Sequence, residues 1–175
     1  MTDSGATLAE LTPGTYRIDP TRSQVHYSGK HMFGLGTVHA TFTVREGELR
    51  VGEPLTTSGV TVTVDAASFS SNSARRDKDV RSGGLLDVNR YPDINFASDS
   101  LQETENRWLV VGTVTAHGRT VPVDVVIDRV TPEGVGIRVH GGAEHLDRTT
   151  FGITGSRGMV GRYLDLEFDV LATAA

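Results

Sequence analysis

A two-residue hydrophobic period recurs in almost every segment of this chain, and that period constrains the fold more than any other feature. In the final stretch Leu164, Leu166, Phe168 and Val170 alternate with Asp165, Glu167 and Asp169. Successive side chains of a strand point to opposite faces, so such a run is a strand with one dry face and one wet face. The same beat starts with Tyr16, Ile18, Val25 and Tyr27 and continues through Phe42 and Val44. Val60, Val62 and Val64 keep it between threonines, and Trp108, Val110, Gly112 and Val114 resume it. Val121, Val123, Val125 and Ile127 follow, then Val135, Ile137 and Val139, with Thr131–Gly134 read as the turn between them.

No segment carries a long helical period. Ala6–Leu11 fits a short helix ended near Pro13, and Ser73–Arg81 fits another with Asn72 as its side-chain cap. Neither covers a sheet, so about eight to ten strands must bury their dry faces against one another, as a two-sheet sandwich or a closed barrel. A barrel of about eight strands is either filled by side chains or holds one small ligand. With 175 residues the chain has room for one domain, expected over 14–175 after a flexible segment at 1–13.

Composition removes several function classes. The net charge is -5 and only two of the seventeen basic residues are lysines, with no basic run, which argues against a nucleic-acid partner. Cysteine is absent, so disulfides, thiolate nucleophiles and thiolate-held metals are excluded. The six histidines show no H-E-x-x-H spacing and no serine sits in a G-x-S-x-G elbow, so no catalytic residue, metal site or cofactor is assigned. An acid/base enzyme built on Asp77, Asp79, Asp87 and His31 is the competing class, without an activating arrangement. The N-terminus lacks a basic start and a continuous apolar region, and no apolar run is long enough to span a bilayer. The expected location is the cytoplasm.

The longest interruption of the alternation, Asn72–Ser98, packs Arg75, Arg76, Asp77, Lys78, Asp79 and Arg81 directly before Gly83, Gly84, Leu85 and Leu86. Long connections in compact domains are usually functional or disordered. At a barrel mouth its arginines would present bidentate donors to a phosphate or carboxylate, and Leu85 and Leu86 would admit an apolar tail. A solvated helix with an Arg75–Asp79 surface pair fits the same residues. The large inward candidates are Phe33, Phe42, Phe69, Phe96, Trp108 and Phe151, mixed with valine, glycine and alanine. That mixture suits a lined cavity and a filled core alike.

Four blocks, in order, resemble the YceI-like family of polyisoprenoid-binding proteins. They are YRIDPTRSQVHYSGKHM from Tyr16 to Met32, ending near His31, and RRDKDVRSGGLLDVNRYPDINFAS, with its apolar pair before Asp87 and its Tyr91–Ser98 strand start. GTVTAHGRTVPV follows at Gly112–Val123, with Gly118 at the turn, and then DRTTFGI at Asp147–Ile153. The chain departs from the family's pattern at Asp79, where a histidine is usual, at Leu85 and Leu86, where two phenylalanines are common, and at Ala40, where a glycine is common.

The resemblance implies an all-β, extended lipocalin-like antiparallel barrel of about eight strands with one or two short helices. It implies non-catalytic binding, transport or storage of a long apolar molecule. The expected lining is Phe33, Phe42, Phe69, Leu85, Leu86, Phe96, Trp108 and Phe151. The expected polar residues of the entrance are His31, Arg75, Arg76, Asp77, Arg81 and Arg148, the last with an alternative role against Asp147 or a carbonyl. Each buried methylene contributes roughly 0.8 kcal/mol against about 4 to 15 kcal/mol of association cost, so a guest of roughly fifteen or more carbons is favoured. A polyisoprenoid meets that condition, and so does a fatty acid or amide. A stress-related sequestering or interaction protein is the third class, and a homodimer is an expected partner state if the guest protrudes.

Overall fold

The computed structural model describes residues 11–105 and 107–175. The helix expected over Ala6–Leu11 and the flexible segment expected over 1–13 fall mostly outside the described residues. The strands are β1 (Gly14–Ile18), β2 (Gln24–His31), β3 (Gly36–Val51), β4 (Gly59–Asp65), β5 (Asp93–Thr104), β6 (Arg107–Ala116), β7 (Arg119–Glu133), β8 (Gly136–Asp147) and β9 (Val160–Ala174). One helix, α1 (Ala74–Arg81), stands between β4 and β5.

These nine strands fill eight positions of a closed antiparallel barrel. β1 and β2 are two halves of one position, because both pair with β3 on one side and with β9 on the other. From β3 onward every strand pairs with the next in sequence, and the β9 pairings close the ring. Closure leaves no unpaired sheet edge, which is how an up-and-down barrel avoids edge-to-edge association.

The register slips where an extra residue must be absorbed. Slips lie between Val44 and Glu46 of β3, Ser98 and Ser100 of β5, and Ala143 and Leu146 of β8. Such bulges bend and twist strands, which a closed barrel requires. They also explain why the inward set of β3 steps from Val44 to Gly47 across two polar residues.

Two local readings change. The side-chain cap of α1 is Ser73, whose hydroxyl accepts from Arg76 N at 3.2 Å, while Asn72 accepts from the Arg76 guanidinium at 3.3 Å. A serine one residue closer to the first helical turn reaches the free N–H that Asn72 would have taken. The β7–β8 turn is also tighter than Thr131–Gly134: β7 runs to Glu133, β8 starts at Gly136, and Gly134 supplies the left-handed φ of 58°.

Two inward glycines decide how the barrel is filled. A Cβ on Gly112 would meet the Ala97 carbonyl oxygen and then the Phe96 ring at 2.7 Å, and one on Gly141 would meet the Val126 carbonyl oxygen and then the Phe168 ring at 2.6 Å. Gly112 lies between inward Val110 and Val114, and Gly141 between inward Val139 and Ala143. Both rings therefore lie back along the wall over a neighbouring strand's bare backbone. Gly141→Ala is expected to cost about 1–3 kcal/mol by overpacking. The check is the urea midpoint at constant m, and an unchanged midpoint contradicts this packing.

On the outer face His140 of β8 bridges Asp128 and Glu167, with Nδ1 2.6 Å and Nε2 2.7 Å from their carboxylates. The hydrogen bond to Asp128, and then that to Glu167, raises its pKa above the ordinary histidine value. The imidazolium is therefore favoured in the folded state. Its contribution is fully present below the unfolded value of about 6.5 and is lost as pH rises through the higher folded value. Denaturant unfolding from pH 5.5 to 8.5 should show stability falling in that window, and falling less in His140→Gln. Equal pH slopes contradict the bridge.

Candidate binding cavity

The barrel encloses a lumen, about 180 Å³ of which admits the centre of a water molecule. A water's share of the liquid is about 30 Å³, so the space is several waters in volume. Valine is the commonest residue on the lining, with Val60, Val62 and Val64 of β4, Val110 and Val114 of β6, Val123 and Val125 of β7, Val139 of β8 and Val170 of β9. Ile94 and Phe96 of β5, Ile127 of β7, and Leu166 and Phe168 of β9 add larger surfaces. Among the described residues the only polar side chains on the lining are Ser58 and Ser98, near the connection between β3 and β4. Each hydroxyl oxygen accepts a backbone N–H, Ser58 from Gly52 at 2.9 Å and Ser98 from Val60 at 2.8 Å. Among the described residues no ionisable side chain lines the lumen, and a charged group inside would lose its hydration without a partner.

Arrangement along the wall keeps the space open. On β3, β8 and β9 the inward Val44, Val139, Val170 and Ala172 are buried in a tight cluster with Tyr16, Ile18 and Ile137. On β4 and β5 the inward Val60, Val62, Val64, Ile94 and Phe96 remain half-buried. Residues that point into a closed barrel and stay partly uncovered face empty space, since interiors otherwise pack to crystal density.

The segment read as an entrance lies across one end of the barrel as a roof. Leu85 is buried with Ala116, Val123, Ala143, Phe151 and Ile153, and Leu86 packs against this cluster. Phe42 and Phe69 are buried with Ala40, and Phe69 meets Phe42 and Tyr27 edge-on at centroid distances of 5.4 and 5.5 Å. Burial raises the pKa of the Tyr27 hydroxyl. Of the eight apolar residues singled out in the sequence, Phe96 lines the lumen. Phe42, Phe69, Leu85, Leu86 and Phe151 belong to the roof, Trp108 packs against the cluster at the opposite end, and Phe33 is exposed on the β2–β3 connection.

The polar set is likewise structural in its contacts. Asp77 is buried and accepts from the backbone and hydroxyl of Ser71 at 2.9 and 2.6 Å. Arg76 donates to Ser71 and Asn72, and Arg81 donates to the Phe69 carbonyl at 2.5 Å. Arg75 is exposed on α1, and His31 is half-buried at the end of β2. Arg148 takes the second of its two readings: it is buried and donates to the carbonyls of Gly161, Ile153 and Val160 at 2.9–3.0 Å. Desolvation lowers its pKa below the usual arginine value. The neighbouring Asp147 pairs with Arg162 at 2.9 Å, and that contact, with the Thr149 hydroxyl, holds its carboxyl at about 2.

The valines that do line the lumen were visible as the inward members of each alternating run. The large aromatics divide between wall and roof: Phe96 and Phe168 lie on the lumen wall, and Phe42, Phe69 and Phe151 are buried in the roof.

A protein-family model described as the YceI-like domain matches residues 16–172. The chain belongs to the YceI-like family. A UPF0312 protein of Pseudomonas putida is 31% identical to this YceI-like chain, over 94% of it and 95% of the relative. Among solved structures, BcnA of Burkholderia cenocepacia superposes with a TM-score of 0.78 at 21% identity, covering 89% of this chain and 99% of BcnA. A polyisoprenoid binding domain from Saccharophagus degradans superposes with a TM-score of 0.70 at 14% identity, covering 94% and 100% of the two chains. Both likenesses are likenesses of fold. Among the described residues of the YceI-like chain no helix is long and apolar enough to cross a membrane, and no group of three or more histidine, aspartate or glutamate side chains is placed to hold a metal ion.

A hollow and a filled barrel respond differently to added volume. Val62→Phe projects into the lumen and is expected to change stability by less than about 1 kcal/mol, whereas Val130→Phe, buried in the tight cluster and off the lumen lining, is expected to cost about 1–3 kcal/mol. Thermal and urea unfolding of both variants checks this. Equal losses would mean that no usable space lies beside Val62.

Proposed function

We propose that this YceI-like barrel holds one long apolar molecule, a polyisoprenoid or chemically similar lipid, without altering it. The observation that carries the reading is a lumen whose lining is apolar from the roof to Ser58 and Ser98. Such a surface offers a guest burial and almost no directional contact. Binding strength then grows with the number of carbons buried, at roughly 0.8 kcal/mol for each methylene. An isoprenoid suits this wall in a second way. Its branched methyls fill the shallow gaps between valines, and its double bonds leave fewer rotors to freeze on binding.

The relation to the Saccharophagus degradans domain supports the class of guest, since that protein is described as polyisoprenoid binding. Acid/base catalysis needs a titratable side chain within hydrogen-bond reach of the reacting atom, and the lumen lining among the described residues offers a guest apolar contact and two hydroxyls instead.

The test is native mass spectrometry of freshly purified protein together with lipid extraction, followed by titration of the delipidated protein with a long-chain polyprenol. Recovery of a long-chain lipid or saturable uptake of the polyprenol at one molecule per barrel is expected, with uptake weakened in Val62→Phe. No lipid and no uptake of any long-chain probe would end this reading.

A further inference from the structure

At the α1 end of the barrel, the β2–β3 connection carries large apolar side chains with little over them. Phe33 is 80% exposed and Leu35 86%, with Met32 at 48%. Met159, 52% exposed, stands beside them, because Met32 N donates to Met159 O at 3.0 Å and Phe33 N to Gly158 O at 2.5 Å. Two loops thus form one apolar platform. Its backbone deepens the puzzle: Met32 and Phe33 have φ of 52° and 57°, ahead of Gly34 at 85°. Left-handed backbone favours glycine or asparagine over a bulky side chain. Neither burial nor turn chemistry selects methionine and phenylalanine here, so contact with something outside the chain is the remaining reason for them.

A basic pocket lies directly beside this platform. Lys30, Arg148, Arg157 and Arg162 line it together with Phe33 and Tyr163, and no carboxylate is on its lining. Arg162 is paired with Asp147. Lys30 donates to the hydroxyl of Thr37 and Arg148 to carbonyls, so neither charge is neutralised, and Arg157 has no ion pair among the described residues.

The asymmetry extends over the whole end of the barrel. Between 66 and 92 the connection carries five basic and three acidic side chains, and between 148 and 159 only Arg148 and Arg157 are charged. At the opposite end the connections joining β3 to β4, β5 to β6 and β7 to β8 carry Glu53 and Glu105 and no basic side chain. The chain as a whole is at -5, so the positive end is a local concentration that would orient the molecule in a field.

We infer that this end docks onto an anionic lipid bilayer. Phe33, Leu35, Met32 and Met159 enter the boundary between headgroups and acyl chains, and Lys30 and Arg157 reach lipid phosphates beside them. Exposed apolar side chains ringed by unneutralised cations are what an interfacial anchor requires, and a soluble phosphate would need only the cations. A second copy of the chain is a poorer occupant, because a two-fold contact would set the same basic pocket against itself. Docking goes beyond occupancy of the lumen, and it brings the roof formed by α1 and its loop to the lipid surface.

The test is flotation of the purified protein with vesicles of equal parts phosphatidylcholine and phosphatidylglycerol, compared with vesicles of phosphatidylcholine alone. Attachment to the mixed vesicles that weakens as salt is raised is expected. Phe33→Ser with Leu35→Ser should weaken it about tenfold or more. Lys30→Gln with Arg157→Gln should weaken it by a similar factor and flatten the salt dependence. Polyprenol uptake by the same double variants should match the parent chain, which shows that they are folded and keeps a failure of docking distinct from a failure of the lumen reading. Docking is overturned by no flotation with the mixed vesicles, or by attachment indifferent to phosphatidylglycerol or to these substitutions. It is equally overturned by a dimer that Phe33→Ser with Leu35→Ser dissociates, or by binding of inorganic phosphate without attachment to vesicles.

Discussion

Phe96 and Phe168 lying back against glycines of the neighbouring strands is the contact on which the rest of this barrel depends. Eight strand positions give an interior that side chains can fill, and two phenylalanine rings crossing it would close the lumen. Gly112 and Gly141 remove the Cβ atoms that would push those rings inward. The rings gain contact with backbone, the backbone loses water, and the centre of the barrel stays free. A wall in which valine is the commonest residue, joined by leucine and isoleucine, then completes an apolar surface.

A closed antiparallel ladder makes that hollow interior tolerable. Most of the stability of a domain comes from burial and from satisfied backbone groups, and the closed ring satisfies the ladder without an edge. The tight cluster of Tyr16, Ile18, Val44, Ile137 and Val170 supplies dense packing at one side and end. The roof supplies it at the other, where Leu85, Phe151, Phe42 and Phe69 are buried beneath α1 and the neighbouring turns. Polar side chains fasten that roof from within: Asp77 holds Ser71, Arg81 holds the Phe69 carbonyl, and Arg148 gathers the Ile153 carbonyl of the turn before β9 and the Val160 and Gly161 carbonyls at the start of β9. The lumen therefore lies between two packed ends.

The strands were legible because alternation is a local property. Leu164 to Val170 shows its dry face in seven residues, and the bulge in β3 is hinted at by Arg45 and Glu46 standing together before Gly47. The barrel followed from the lack of any covering helix and from the four family blocks. The lining was harder to read. Phe42, Phe69 and Phe151 have the same size and hydrophobicity as Phe96, but Phe69 and Phe151 stand in the turns that follow β4 and β8, and tertiary packing sends all three to the roof. Arg148 illustrates a second limit, since its acceptors come together only when β9 returns to the ring. The glycine beneath each ring belongs to a neighbouring strand, sixteen or more positions away in sequence from its phenylalanine, so the pairing that opens the lumen is a tertiary fact written in two separate places.

The most direct test of the central claim is a crystal structure of the delipidated protein soaked with a brominated long-chain alkane, read by anomalous scattering from bromine. Bromine density inside the barrel, between the rings of Phe96 and Phe168 and with both rings flat against Gly112 and Gly141, is the predicted result. An interior occupied by those two rings, with bromine absent from the barrel, would contradict the account.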